Sequence, residues 1–228
     1  MSGIFNSSIG RKFAMALSAL FLMVFLLQHF SINILSVFSP ELFNDVSHFM
    51  GTFWVIQYVL QPVLIFGVVF HFVMGFVLEY KNSSARKVAY AKTSRAANST
   101  WMSRNMLLSG AVILAFMGLH FYDFWFPEIN IKFIEGDMSG LIDPNDADSG
   151  YRYFEHLQHK FVDGWRVAIY AVSFVLLSLH LLHGFNSAFQ SVGANNKYVR
   201  GLKGFSKVYA IGVPLGFIFI ALFHYFTH

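Results

Sequence analysis

Long apolar stretches alternate with short polar connections along this chain. The stretches run roughly over 13–37, 54–79, 105–126, 164–188 and 207–227. Each supplies about 20 or more helical residues, enough to cross a hydrocarbon layer ~30 Å thick. The pattern predicts an all-α, polytopic membrane protein of five transmembrane helices, folded as one domain over 1–228 with no repeat and no low-complexity linker. The first stretch is too long for a signal-peptide core and lacks a small-residue cleavage pattern, so it is read as a membrane helix. Between the first two stretches, Pro40 followed by Glu41–Met50 predicts a short interfacial helix. The third connection, about 127–163, is long and acidic, bounded by Pro127 and Gly164. Connections of this length are usually functional or disordered. Its Asp143-Pro-Asn-Asp-Ala-Asp-Ser-Gly run fails the ligand spacing of a calcium loop and reads as a solvated turn.

Four of the apolar stretches are interrupted by a histidine: His29, His71, His120 and His180. An ionisable side chain inside a membrane helix is costly and by default marks function. The first and third helices run one way and the second and fourth the other, so position converts to depth at about 1.5 Å per residue. His29 and His120 then share one level and His71 and His180 another, roughly 12–14 Å apart along the membrane normal. Two pairs of facing imidazoles suit the axial ligation of two b-type haems. Gly67 and Gly75 flank His71, Gly184 follows His180, and such small residues would let a porphyrin approach the backbone. His29 and His120 have Asn33 and Phe124 in the corresponding places. For any one of these histidines the plain alternative is a hydrogen bond to a neighbouring carbonyl. His183 competes with His180; the repeat of the His71–Gly75 spacing favours His180, leaving His183 to bond a propionate or to pack. His224 is expected to be interfacial and solvated, and His156 and His159 to lie on the surface.

Composition narrows the chemistry. The chain is 56% hydrophobic and 12% charged, against about 25% charged in soluble domains. It has no cysteine, which excludes disulfides, thiolate-held clusters or zinc, and covalent haem attachment. The net charge of +4 is no nucleic-acid signal, because the charges are sorted by side. Arg11, Lys12, Lys81, Arg86, Lys87, Lys92, Arg95, Arg104, Lys197, Arg200, Lys203 and Lys207 lie on one side; the acids from Glu41 and Asp45 through Asp163, all but Glu79, lie on the other. The positive-inside rule then puts the N-terminus in the cytoplasm and His228 outside, across a cytoplasmic (inner) membrane. Trp54, Trp125 and Trp165 fall at outer helix ends and Trp101 near an inner one, as an aromatic belt requires.

These residues, in order, resemble those of the single-polypeptide di-haem cytochrome b anchor of succinate:quinone oxidoreductases, the succinate dehydrogenases and fumarate reductases. The carriers are Ser7-Ser-Ile-Gly-Arg-Lys, His29-Phe-Ser-Ile-Asn, His71-Phe-Val-Met-Gly, Trp101-Met-Ser-Arg-Asn-Met-Leu-Leu-Ser-Gly, His120-Phe-Tyr-Asp-Phe-Trp and His180-Leu-Leu-His-Gly-Phe, covering nearly the whole chain. The resemblance implies that His29 and His120 bind the iron of an outer haem b and His71 and His180 that of an inner one. It implies a flavoprotein and an iron–sulfur subunit docked on the cytoplasmic face, and electron exchange with a quinone, commonly menaquinone. It admits a dimer of the whole complex. Some fumarate reductases of this type carry a Glu two residues before the fourth ligand; here Ser178 stands there, so that proton route does not carry over.

Independently of the resemblance, quinone chemistry needs a proton exchanger near the membrane surface. Asp45 and His48 meet this description, against the plain reading of two interfacial polar residues. Arg104 and Arg166 are candidate propionate partners, with snorkelling as the alternative. Two other function classes share the pattern: a cytochrome b anchor of a hydrogenase or formate dehydrogenase, and a haem-free transporter with a histidine proton relay. The cytochrome b of bc complexes is disfavoured, since no helix here carries two ligands 13–14 residues apart.

Overall fold

The computed structural model describes residues 7–84, 105–194 and 199–228. Helix α1 (Ser8–Asn33) starts where the Ser7 side chain accepts the Gly10 amide at 2.9 Å, a standard N-cap. It continues into the short α2 (Leu35–Phe38). Ser39 then caps α3 (Pro40–Thr52), accepting the Leu42 amide at 3.1 Å, with Pro40 in the first turn. A helix thus forms where the sequence predicts a short one after Pro40. A π-helical turn, Ile56–Leu60, leads into α4 (Gln61–Ser84).

The third span, α5 (Met106–His120), does not stop near Pro127 as the sequence suggests. It runs through a π-helical turn (Phe121–Trp125), the short α6 (Phe126–Ile129) and a second π-helical turn (Asn130–Ile134). A proline early in a helical segment lacks only a donor that would go unused, and the wider turns absorb the mismatch around it. Past Ile134 the chain crosses a looped segment, pinned by a Leu141–Tyr151 bridge, to α7 (Tyr153–Lys160). Then follow α8 (Gly164–Ser191) and α9 (Val199–Thr227), the latter with Pro214 inside it.

Five helical stretches are long and apolar enough to cross a membrane: Ser8–Phe38, Ile56–Asn82, Met106–Ile134, Gly164–Ser191 and Arg200–Thr227. The fold is an all-α bundle of a multi-pass membrane protein. The most apolar window of the last span is 44% buried and that of the third only 6%, so α9 is the central packing partner. Its Tyr209, Val213, Phe217, Ile220 and Ala221 pack with Val167, Tyr170, Phe174, Leu181 and Phe185 of α8. Gly216 lets the Phe30 ring of α1 lie directly against the α9 backbone. Large apolar side chains such as Val24, Phe66, Leu108, Val172 and Val208 face outward, as lipid-exposed helices require. The α2–α3 connection and the segment leading to α8 share one end of the bundle, here termed the acidic end.

Candidate functional site

The fold brings the four span histidines together as two pairs. The rings of His71 on α4 and His180 on α8 stand 6.4 Å apart between centroids, at 71° to each other. Those of His29 on α1 and His120 on α5 stand 5.8 Å apart at 86°. The pairs interleave, joining the first span to the third and the second to the fourth.

In the first of these pairs the surroundings fix the tautomers. The Ser18 hydroxyl donates its only proton to the Met15 carbonyl at 2.8 Å and lies 3.0 Å from His71 Nδ1. It can therefore only accept from Nδ1–H, which leaves Nε2 of His71 with a bare lone pair. The arrangement repeats on the partner. Ser109 donates to the Met106 carbonyl at 2.9 Å and meets His180 Nδ1 at 3.2 Å, so Nε2 of His180 is bare as well. Donation of one ring N–H to an oriented acceptor is how proteins set an imidazole up as a metal ligand.

The His29–His120 pair sits in an aromatic cage instead. Phe25 stacks on His29 at 5.5 Å and Phe217 lies 5.7 Å from it. Phe124, Phe116 and Tyr170 surround His120 at 5.3, 5.9 and 6.3 Å. Asn33 donates to the His29 carbonyl at 2.8 Å, and its amide lies almost equally far from both ring nitrogens, 3.4 and 3.5 Å. It thus sits beside the ring and selects no tautomer. Nδ1 of His120 is buried with no hydrogen-bond partner among the described residues.

Beyond His120, the π-helical turn buries Asp123 completely. The Tyr170 hydroxyl donates to its Oδ2 at 2.8 Å, and Arg166 Nε stands 3.5 Å from Oδ1. Arg166 also reaches Asp163 at 3.6 Å and lies over the Trp165 ring. Its charge is thus met by carboxylates rather than directed to the histidine pair. Arg104 lies outside the described residues. His183 is half-buried, its Nε2 3.2 Å from the Ser187 hydroxyl on its own helix.

Three expectations are corrected. His156 is not a surface residue: it is half-buried, its Nε2 2.7 Å from the Asp123 carbonyl and its ring against Phe124, whereas His159 is exposed. His224 is not solvated: it is fully buried, its Nε2 2.9 Å from the Ser36 hydroxyl, because α2, continuing the first span, packs against α9. Gly67 does not open space beside His71, because a Cβ there would meet the Phe21 ring at 2.8 Å. It serves close packing of α1 on α4. Gly75 and Gly184 do face yielding neighbours, the methyl of Met15 at 3.7 Å and those of Met23 and Met106 at 3.8 and 3.9 Å.

At the acidic end, His48 of α3 stacks on Tyr151 at 4.0 Å and 11°. Lys132, buried, bonds the Gly51 carbonyl at 2.7 Å and Glu128 at 2.8 Å. Arg152 pairs with Glu128 and Asp137 at 3.2 and 3.0 Å. Burial first, then the charges of Lys132 and Arg152, hold the His48 imidazole below its ordinary range. Asp45 is exposed, one turn away on the same helix.

Two imidazoles bound to one metal ion at the usual distance of about 2.0–2.1 Å place their centroids roughly 6.3 Å apart. The observed 6.4 and 5.8 Å are close to this. Among the described residues no cluster of three or more His, Cys, Asp or Glu is gathered; each pair offers two ring nitrogens. Two nitrogens are what a metal already held in a macrocycle, such as haem iron, would need from the protein. The bare Nε2 atoms of His71 and His180 and the flexible methionine methyls fit such a group. Sequence reasoning missed Ser18, Ser109, Asp123 and Tyr170; a lone hydroxyl or carboxylate within an apolar stretch is the signal they carry. No family model, no curated protein and no solved structure matches this chain.

Proposed function

We propose that the chain is a quinone-reactive di-haem cytochrome b, the membrane anchor through which a succinate dehydrogenase or fumarate reductase exchanges electrons with menaquinone or another membrane quinone. The observation that carries this reading is the pair of facing imidazoles at each of two places in one bundle, the His71–His180 pair with both Nδ1 atoms tied to serine hydroxyls. His29 and His120 would hold one haem iron and His71 and His180 the other. When bound, haem supplies reversible one-electron chemistry that no side chain here offers. The chain itself orients the ligand rings, excludes water from them with Phe25, Phe116, Phe124 and Phe217, and offers His48 and Asp45 at the acidic end as proton exchangers for quinone. His48 suits the task because a depressed imidazole is neutral near pH 7 and free to accept a proton. On this reading the basic end faces the cytoplasm and receives the flavoprotein and iron–sulfur subunits. The chain takes no part in succinate chemistry itself.

The test is purification of the intact complex from membranes, followed by a reduced-minus-oxidised visible spectrum and cofactor analysis. Two b-type components, with a flavoprotein and an iron–sulfur protein co-purifying, are expected. A colourless preparation would overturn the reading in favour of a histidine relay in a transporter. Haem with a hydrogenase or formate dehydrogenase partner would replace the succinate-linked assignment.

A further inference from the structure

Among the described residues of the four histidine-bearing spans, Asp123 is the one fully buried acid, and it lies three residues past His120. The ring of Tyr170, itself buried, bridges the two. It packs 6.3 Å from the His120 ring, and its hydroxyl donates to Asp123 Oδ2 at 2.8 Å.

Charge balance around this carboxylate is incomplete. Oδ1 has no hydrogen-bond partner among the described residues, and neither has the facing Arg166 Nε, although the two stand 3.5 Å apart. Arg166 also serves Asp163, so one guanidinium faces two carboxylates. His156 Nε2 donates at 2.7 Å to the backbone carbonyl of Asp123, not to its side chain. A buried charge is costly unless it is paired and hydrogen-bonded. A cation at the adjacent histidine pair would complete the balance.

The other pair has no such neighbour. Ser18 and Ser109, beside His71 and His180, are uncharged, and α1 and α8 contain no acid. Glu79 on α4 is exposed, eight positions or about 12 Å along the helix from His71. Asp123 therefore acts on one pair alone. In a buried, low-dielectric setting its field falls off slowly and salt screens it little.

We infer that Asp123 is the fixed counter-charge for a cation bound between His29 and His120, and that it biases iron there towards the oxidised state. The inference rests on the di-haem reading above and adds a residue that sets the redox balance of one of its two sites. Oxidised haem iron carries one positive charge more than reduced iron, so an incompletely balanced carboxylate nearby stabilises the oxidised form. Tyr170 holds that carboxylate beside the ring and disperses part of its charge.

The test is a potentiometric titration of the purified complex in lipid nanodiscs, read from the b-type bands of the visible spectrum. The component to follow is the one that His120→Ala removes. Asp123→Asn keeps the shape and deletes the charge. At a fixed potential it should raise the ratio of reduced to oxidised iron in that component about tenfold, an upward shift of about 59 mV for one electron. The second component should stay in place. Tyr170→Phe keeps the charge but removes its hydrogen bond, and should move the same component the other way. Should Asp123→Asn fail to assemble, Tyr170→Phe decides. An unmoved component in Asp123→Asn, or equal shifts of both, would overturn the role of Asp123 and leave the di-haem reading intact. So would an unmoved or raised component in Tyr170→Phe. A complex without b-type bands would overturn that reading and this inference together.

Discussion

The Ser18 hydroxyl meets Nδ1 of His71 at 3.0 Å across 53 positions of chain, and gives its own proton to the Met15 carbonyl. One side chain thereby joins α1 to α4 and decides which nitrogen of His71 is free. Ser18→Ala keeps the packing volume nearly intact but leaves Nδ1–H of His71 without an acceptor. Loss of a partner of this kind typically costs about 10- to 100-fold in metal affinity. Haem retained per polypeptide under mild extraction should fall, and fall further with Ser109→Ala. Retention equal to the unaltered protein would show that the serines do not position the rings.

Spectral assignment checks the pairing. His29→Ala and His120→Ala should each remove one and the same b-type component, and His71→Ala and His180→Ala the other. His183→Ala should leave both components low-spin, since its ring is bonded along its own helix to Ser187. Loss of one shared component in His29→Ala and His71→Ala would overturn the assignment.

Arg166 has two carboxylates, and they differ in value. Asp123 is fully buried, while the side chain of Asp163 is 53% exposed. Breaking a buried pair leaves an uncompensated charge and costs about 3–5 kcal/mol, whereas an exposed pair is worth less than about 1 kcal/mol. Arg166→Gln should therefore lower the melting temperature sharply and Asp163→Asn hardly at all. Equal effects would place the stabilising interaction elsewhere, for instance in the contact of Arg166 with the Trp165 ring.

The acidic end should weaken in mild acid. Burial holds His48 and His156 below their ordinary value of 6.5. With the folded value depressed, the unfolded chain takes up protons first as pH falls through 6.5. Stability is therefore full above that value and declines towards the depressed folded values, below which it is level again. Melting curves between about pH 8 and about pH 5 should show this slope, and His48→Gln should remove its share. A slope unchanged by His48→Gln would assign the effect to His156 or to the spans.

Because the chain has no cysteine, single cysteines report sidedness directly. Asn145→Cys, in the exposed loop before α7, should react with an impermeant thiol reagent added outside cells. Arg200→Cys, at the start of α9, should react only after lysis. The reverse pattern would invert the proposed orientation, and with it the side on which soluble subunits dock.

Much of this architecture is legible in the sequence because the membrane simplifies the reading. An ionisable ring in an apolar stretch stands out, and antiparallel spans turn sequence position into depth, so hydropathy alone matches His29 with His120 and His71 with His180. What escapes depends on directions that hydropathy does not encode. Ser18 and Ser109 satisfy their own protons locally, and only packing shows which imidazole they also meet. Gly67 looks like clearance for a ligand but is filled by Phe21 from a neighbouring helix. The third span outruns Pro127 because π-helical turns, invisible in composition, carry the chain past it. His224 is buried because α2 packs against α9, a tertiary contact made by a segment of four residues. The packing of His48 against Tyr153 depends on loop closure over roughly one hundred positions.

The interleaving of the pairs also sets an order of biosynthesis. Spans leave the ribosome from the N-terminus onward. The ring of His29 waits through one unrelated span before His120 arrives, and the ring of His71 waits likewise for His180. A nascent chain halted after its third span possesses one complete pair; only the fourth span creates the second. Phe217 and Tyr209, which back His29 and brace the Met23 carbonyl from α9, come last of all. If the two pairs hold haem as proposed, the pair nearer the acidic end can therefore form before the other, and the last helix closes over histidines that are already present.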